Sequence, residues 1–270
     1  MLLALIVAIA SIGLARRGAP TLIETGSPAA YGATVVRYSL RSRFVRGKLA
    51  QTAIIPAGSR ADSRALLVFL PGRGGRGSES NANRAFFRAL RALGSRAPAV
   101  VFPDGGDHSY FHARVSGDWA RYVLEEVIPE AVQRLHVSAR RVAIGGISMG
   151  GFGAFDIARM RPSRFCAVGG HSAALWGRAD DTASGAFDDA KDFDRNDILA
   201  VARASGRAPW GAAHLWLDGG ISDPFRESDE ELAAALGVRM QHWPGGHDMS
   251  YWQAHYASYL RFYAAALATC

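Results

Sequence analysis

The segment Val142–Gly151, VAIGGISMGG, sets a serine between two glycines at the point where a short apolar run gives way to a helical pattern. A run this apolar reads as a buried strand, and the small residues that follow, in GFGAFDIARM, read as a helix lying close against it. A serine on so sharp a strand-to-helix turn projects its hydroxyl away from the backbone. The glycines at 146 and 150 are needed because a Cβ at either place would strike the neighbouring chain. The turn also sets Ser148 at a helix N-terminus, where unpaired backbone N–H groups favour negative charge on a reacting oxygen. Ser148 is therefore a candidate nucleophile, and the strand that carries it belongs to a parallel sheet.

The rest of the chain agrees with that sheet. Thr34–Leu40 and Phe44–Pro56 alternate apolar and polar residues around an Arg-Ser-Arg turn, the pattern of an antiparallel hairpin. Beyond it, Ala65–Leu70, Ala99–Phe102, Arg141–Ile144, Phe165–Gly169, His214–Leu217 and Val238–Trp243 are short apolar runs. They alternate with helical patterns at Asn81–Leu93, Trp119–Leu135, Gly151–Met160, Asp229–Leu236 and Tyr251–Leu267. That is the rhythm of an α/β fold with a mostly parallel central sheet and helices on both faces. With 270 residues, 49% of them hydrophobic, one such domain over residues 30–270 is expected. The stretch 173–207 is rich in Asp, Ala and Gly and interrupts the strand order, so it reads as an excursion over the C-terminal edge of the sheet.

Leu2–Leu14 is an apolar run of signal-peptide length. No Lys or Arg precedes it and Arg16-Arg17 follow it, so residues 1–17 read as a signal peptide or an N-terminal membrane anchor. Either implies a secreted or cell-envelope protein. The net charge of +7 is carried by arginines scattered along the chain, with Lys48 and Lys191 the only lysines, which is no nucleic-acid footprint. Cys166 and Cys270 make no disulfide framework and no metal-ligand spacing; Cys166, in an apolar stretch, is expected in the core. No cofactor motif is present.

A serine nucleophile needs a base and an acid to orient that base, in the chain order Ser, Asp or Glu, His for a sheet of this kind. His247 follows the turn Pro244-Gly245-Gly246 after the last apolar run and precedes a helix, so its imidazole can swing back over the sheet edge. Two aspartates compete for the acid. Asp223 lies beyond a glycine pair and has the reach; Asp218, at the strand end, is expected to tie down its own loop by bonding nearby backbone N–H groups. The backbone N–H groups of Met149 and of Arg73, in Leu70-Pro71-Gly72-Arg73-Gly74-Gly75, are the expected oxyanion donors. His108, Tyr110, Phe111, Trp176 and Phe187 are candidates to line an acyl or aryl pocket, or else to cover the core.

Taken together, GISMGGFGAF around Ser148, DGGISD at 218–223, PGGHDMSYW around His247, LPGRGG at 70–75 and VFPDGG at 101–106 resemble the esterase D family of α/β-hydrolases over roughly residues 65–265. That family includes feruloyl and acetyl-xylan esterases, S-formylglutathione hydrolases and mycolyltransferases of the antigen 85 type. The resemblance implies an α/β-hydrolase fold, with Ser148 as nucleophile, His247 as base, Asp223 as acid and the amides of Met149 and Arg73 at the oxyanion. Pro71-Gly72 stands where many members have His-Gly, which removes a polar side chain behind the site. The expected activity is serine carboxylesterase, with a small-molecule, polysaccharide or lipid-linked ester as substrate. An acyltransferase passing the acyl group to a sugar or lipid alcohol is the alternative, and a non-catalytic binding module on the same scaffold a second.

Overall fold

The computed structural model describes residues 22–25, 31–58, 64–74 and 81–270; the expected leader at 1–17 and Gly75 of the glycine loop lie outside them. The sheet is built from β1 (Leu22–Thr25), β2 (Thr34–Arg41), β3 (Lys48–Ile55), β4 (Leu66–Leu70), β5 (Ala99–Pro103), β6 (Val142–Ile147), β7 (Ala167–His171), β8 (His214–Gly220) and β9 (Gln241–Trp243). Their spatial order is β1-β2-β3-β5-β4-β6-β7-β8-β9. β1, β2 and β3 pair antiparallel, β3 joins β5 antiparallel, and every pairing from β5 to β9 is parallel. This is the mostly parallel α/β sheet with an antiparallel N-terminal hairpin that the sequence predicts. Two differences stand out. β1 was not anticipated, and the second hairpin strand starts at Lys48 because Ser42 Oγ accepts from the N–H groups of Phe44 and Val45, holding those residues in the turn.

The central strands are buried throughout, and their side chains alternate between two faces that divide the core in two. Leu66, Val68 and Leu70 of β4 face one side, with Trp119, Ile128, Phe152, Phe155 and Leu232; Leu67 and Phe69 face the other, with Phe86, Tyr256, Tyr259 and Leu260. The second face is covered by α1 (Arg84–Ala92) and α8 (Met249–Ala268). The first is covered by a helix that runs as α2 (Trp119–Tyr122), widens to a π-turn over Val123–Val127 and resumes as α3 (Ile128–Leu135), together with α4 (Met149–Met160) and α7 (Arg226–Leu236). The stretch 173–207 is more ordered than its composition suggests, since it carries α5 (Ala190–Arg195) and α6 (Ile198–Ser205), each opened by an aspartate N-cap, Asp189 and Asp197.

Cys166 is in the core as expected, yet it is not free: it forms a disulfide with Cys270. The sequence gives no sign of this single pairing because the fold lays the end of α8 beside the start of β7, across a separation of 104 residues that carries no local signal. Among the described residues no helix is long and apolar enough to cross a membrane, and no cluster of three metal-ligating side chains occurs.

Candidate active site

β6 ends at Ile147, α4 starts at Met149, and Ser148 between them has φ 52° and ψ −116°, a left-handed conformation that costs energy for any residue with a Cβ. The turn is forced by its neighbours. A Cβ on Gly150 would collide with the Leu70 carbonyl of β4, and one on Gly146 with the backbone of Gly150. The first helical bond runs from Phe152 N–H to the Ser148 carbonyl, so the N–H groups of Met149, Gly150 and Gly151 have no intrahelical partner.

The loops after β8 and β9 are stitched together: Ile221 N–H donates to Trp243 O and Ser222 N–H to Gly245 O, both at 2.9 Å. Gly220 permits the approach, because a side chain there would strike the Gly245 carbonyl. Asp248 then caps α8, its carboxylate accepting from the N–H groups of Ser250 and Tyr251, and this fixes where His247 leaves the loop. The result is a continuous relay. His247 Nε2 lies 2.8 Å from Ser148 Oγ, and His247 Nδ1 lies 3.0 Å from Asp223 Oδ2. Burial pushes the Asp223 carboxyl upward, but hydrogen bonds from His247 and from the Phe225 N–H at 2.8 Å outweigh it and hold the group below the ordinary carboxylate range. Asp223 is thus an anion facing an imidazole that faces a hydroxyl.

A cleft of about 350 Å³ opens over Ser148 and His247. Gly72 and Arg73 form one wall, and the Arg73 guanidinium reaches across to the Ser184 carbonyl at 2.7 Å, bridging the β4 loop and the excursion. Tyr110 lines the cleft from a loop where it and Phe111 both take left-handed backbone angles, φ 50° and 58°. Burial raises the Tyr110 phenol above its ordinary range although Arg73 beside it pulls the other way. Phe225 and Trp252, also on the wall, pack edge-to-face with the His247 imidazole, ring centres 5.0 and 5.2 Å apart.

Residues 76–263 match the Esterase family. The chain belongs to that family. Solved structures share its fold: a ferulic acid esterase, 21% identical with a TM-score of 0.74, covers 87% of this chain and 99% of its own. An S-formylglutathione hydrolase from Agrobacterium tumefaciens, 17% identical with a TM-score of 0.73, covers 92% and 99%; the fluorophosphonate-binding serine hydrolase F of Staphylococcus aureus, 20% identical with a TM-score of 0.65, covers 86% and 98%. No curated protein matches by sequence.

In this esterase the sequence-nominated aromatics separate. Tyr110 lines the cleft, whereas Trp176 packs behind it, 5.4 Å from the rings of both Tyr110 and Phe225. Phe111 is wholly buried and Phe187 stacks on His112 at 5.0 Å. His108 is exposed on the surface and packs beside Gly185. Asn81, Phe225, Met249 and Trp252 line the cleft without having been singled out. Phe225 and Met249 could have been found by position, each lying two residues from a member of the relay.

Asp218 behaves differently from the expectation. It does not tie down its loop through local backbone N–H groups; it is the centre of a buried side-chain network. Oδ1 accepts from His171 Nδ1 at 2.6 Å and Trp216 Nε1 at 2.7 Å, while Oδ2 accepts from the hydroxyls of Tyr251 at 3.1 Å and Tyr259 at 2.8 Å. His171 Nε2 in turn takes the Tyr263 hydroxyl at 2.9 Å. Burial, reinforced by the Asp218 charge, pushes the phenols of Tyr251, Tyr259 and Tyr263 far above their ordinary range, so all three remain donors. Asp229 of α7 completes the region. It is fully buried, and burial with Asp223 and Asp218 nearby pushes it well up, toward the neutral acid, although the Ala173 backbone N–H pulls the other way.

Proposed function

We propose that this esterase cleaves carboxylic esters through an acyl-enzyme formed on Ser148. The Ser148–His247–Asp223 relay, at 2.8 and 3.0 Å on a strained turn, is the observation that carries the reading. His247 Nε2 accepts the Ser148 proton as Oγ attacks the carbonyl carbon, and Asp223 stabilises the imidazolium. The oxyanion is met by the N–H of Met149 and that of Arg73. The intermediate collapses, the alcohol leaves with the proton from His247, and water, activated by the same imidazole, releases the acid.

The cleft, about 350 Å³ and walled by Tyr110, Phe225 and Trp252, suits a short acyl chain or a single aromatic ring. The names of the ferulic acid esterase and the S-formylglutathione hydrolase are consistent with both. Export to the cell envelope or beyond is part of the proposal, and the Cys166–Cys270 disulfide supports it, because such bonds persist in oxidising compartments. A fluorophosphonate probe tests the chemistry: labelling of the folded protein that disappears in Ser148→Ala is expected. Folded wild-type protein that takes no label would leave a binding module on an esterase scaffold. A series of p-nitrophenyl esters of increasing acyl length, run with feruloyl and acetylated-sugar esters, then fixes the acyl group.

A further inference from the structure

One polar group on the wall of the cleft has no task in this chemistry. Asn81 is 1% exposed and lines the cleft beside Ser148, His247 and Met249. The direction of its amide follows from two neighbours. Asn83 caps α1, its Oδ1 accepting from the N–H groups of Ala85 at 3.0 Å and Phe86 at 3.1 Å. Its Nδ2 is therefore the atom turned toward α8, 4.0 Å from Met249 Sδ and hydrogen-bonded to the Tyr256 hydroxyl. With its oxygen accepting there, the Tyr256 hydroxyl has one hydrogen to give and two acceptors within reach, Asn81 Oδ1 at 3.3 Å and Met249 Sδ at 3.7 Å; the amide oxygen, the stronger acceptor, takes it. With Oδ1 engaged by Tyr256, Asn81 Nδ2 is the atom that offers hydrogens to an acceptor in the cleft.

The side of the cleft that Asn81 occupies indicates what that acceptor is. His247 returns its proton to the leaving oxygen, so the alcohol half of an ester lies on the His247 side. Met249 and Trp252 begin α8 just after His247, and Asn81 is tied to the same helix through Tyr256. Resting on the assignment of Ser148 and His247 above, we propose that Asn81 is a specificity-determining residue whose Nδ2 hydrogen-bonds an oxygen on the alcohol half of the substrate. It thereby selects esters of hydroxylated alcohols, such as polyols, over those of apolar ones.

Monoacetylglycerol and propyl acetate share an acyl group and a three-carbon alcohol and differ only in the hydroxyls, so they test the assignment. Two variants are informative: Asn81→Leu removes the amide, and Asn81→Asp keeps an acceptor for Tyr256 while deleting the donor. Wild type should favour monoacetylglycerol, and each variant should lose roughly tenfold in kcat/KM on that ester, mostly in KM, with propyl acetate changed by less than about twofold. Equal losses on both esters, or none on either, would overturn the proposal. If Asn81→Leu does not fold, the near-isosteric Asn81→Asp decides alone. Turnover of neither ester by wild-type protein that also takes no fluorophosphonate label overturns the esterase chemistry instead; turnover of both with no preference overturns only the role of Asn81.

Discussion

Two histidine–aspartate pairs stand at the carboxyl end of this sheet. His247 and Asp223 meet at 3.0 Å on loops that leave the imidazole side chain 22% exposed, whereas His171 and Asp218 meet at 2.6 Å at the ends of β7 and β8 with neither side chain exposed. The chemical partners are the same and the bond lengths similar. What separates them is the second ring nitrogen. His247 Nε2 faces a serine hydroxyl beside an open cleft, while His171 Nε2 is filled by Tyr263, and the Asp218 oxygens are filled by Trp216, Tyr251 and Tyr259. A fully satisfied buried network holds a fold in one arrangement; the same pair with one end open can move a proton.

Substitutions can break that contrast. Ser148→Ala or His247→Ala should lower turnover by about 10⁴-fold or more with an unchanged melting temperature, because members of such a set act as a unit. Near-normal ester hydrolysis by either variant would end the assignment. At the aspartates the two pairs should part company. Asp223→Asn should cost roughly 10⁴-fold in turnover and leave the fold intact, since an amide there favours the wrong imidazole tautomer. Asp218→Asn should instead lower unfolding free energy by roughly 3 kcal/mol, because it opens a buried network. Denaturant melts and kinetics on both proteins would show it, and the opposite pattern of damage would transfer the catalytic role to Asp218.

Disulfide loss sharpens the comparison, since Cys270 follows the helix that supplies all three tyrosines of the buried network. Cys270→Ser should cost roughly 4 kcal/mol, the order expected for a closed loop of about 100 residues. The relay geometry should survive in the fraction that stays folded, so activity per folded molecule should hold; a specific loss of turnover there would show that the two pairs are coupled. The smallest effect concerns Asp229. Its folded carboxyl titrates above its unfolded value, so native protein keeps a proton that unfolded chain releases as pH rises through the ordinary carboxylate range. That stability is complete in acid and is lost toward alkaline pH. Asp229→Asn should therefore raise the melting temperature by more at about pH 8 than at about pH 4, and an equal change at both would show that Asp229 is ionised in the fold.

The parts legible in the sequence are those whose causes are local. Gly146, Ser148 and Gly150 announce the turn because the clash they avoid involves adjoining elements. His247 is readable from the Pro-Gly-Gly turn before it and the helix after it, and Asp223 from the glycine pair that gives it reach. The role of Asp218 was not legible, since its partners come from β7 and from α8, more than 30 residues away in most cases. A trace existed. Tyr251, Tyr259 and Tyr263 fall at intervals of eight and four, one face of the final helix, and three hydroxyls on a buried face require an acceptor. The disulfide and the direction of the Asn81 amide left no such trace, because each depends on how separate segments meet.

The bridge between Cys166 and Cys270 encloses the excursion, the loop that bears Asp223 and the loop that bears His247, and it leaves Ser148 outside. A protease that cuts any of those loops therefore divides the chain without releasing either piece. On a gel run without reductant the nicked protein should migrate as one species of full mass, and only a reducing agent should part the fragment carrying the nucleophile from the one ending at Cys270.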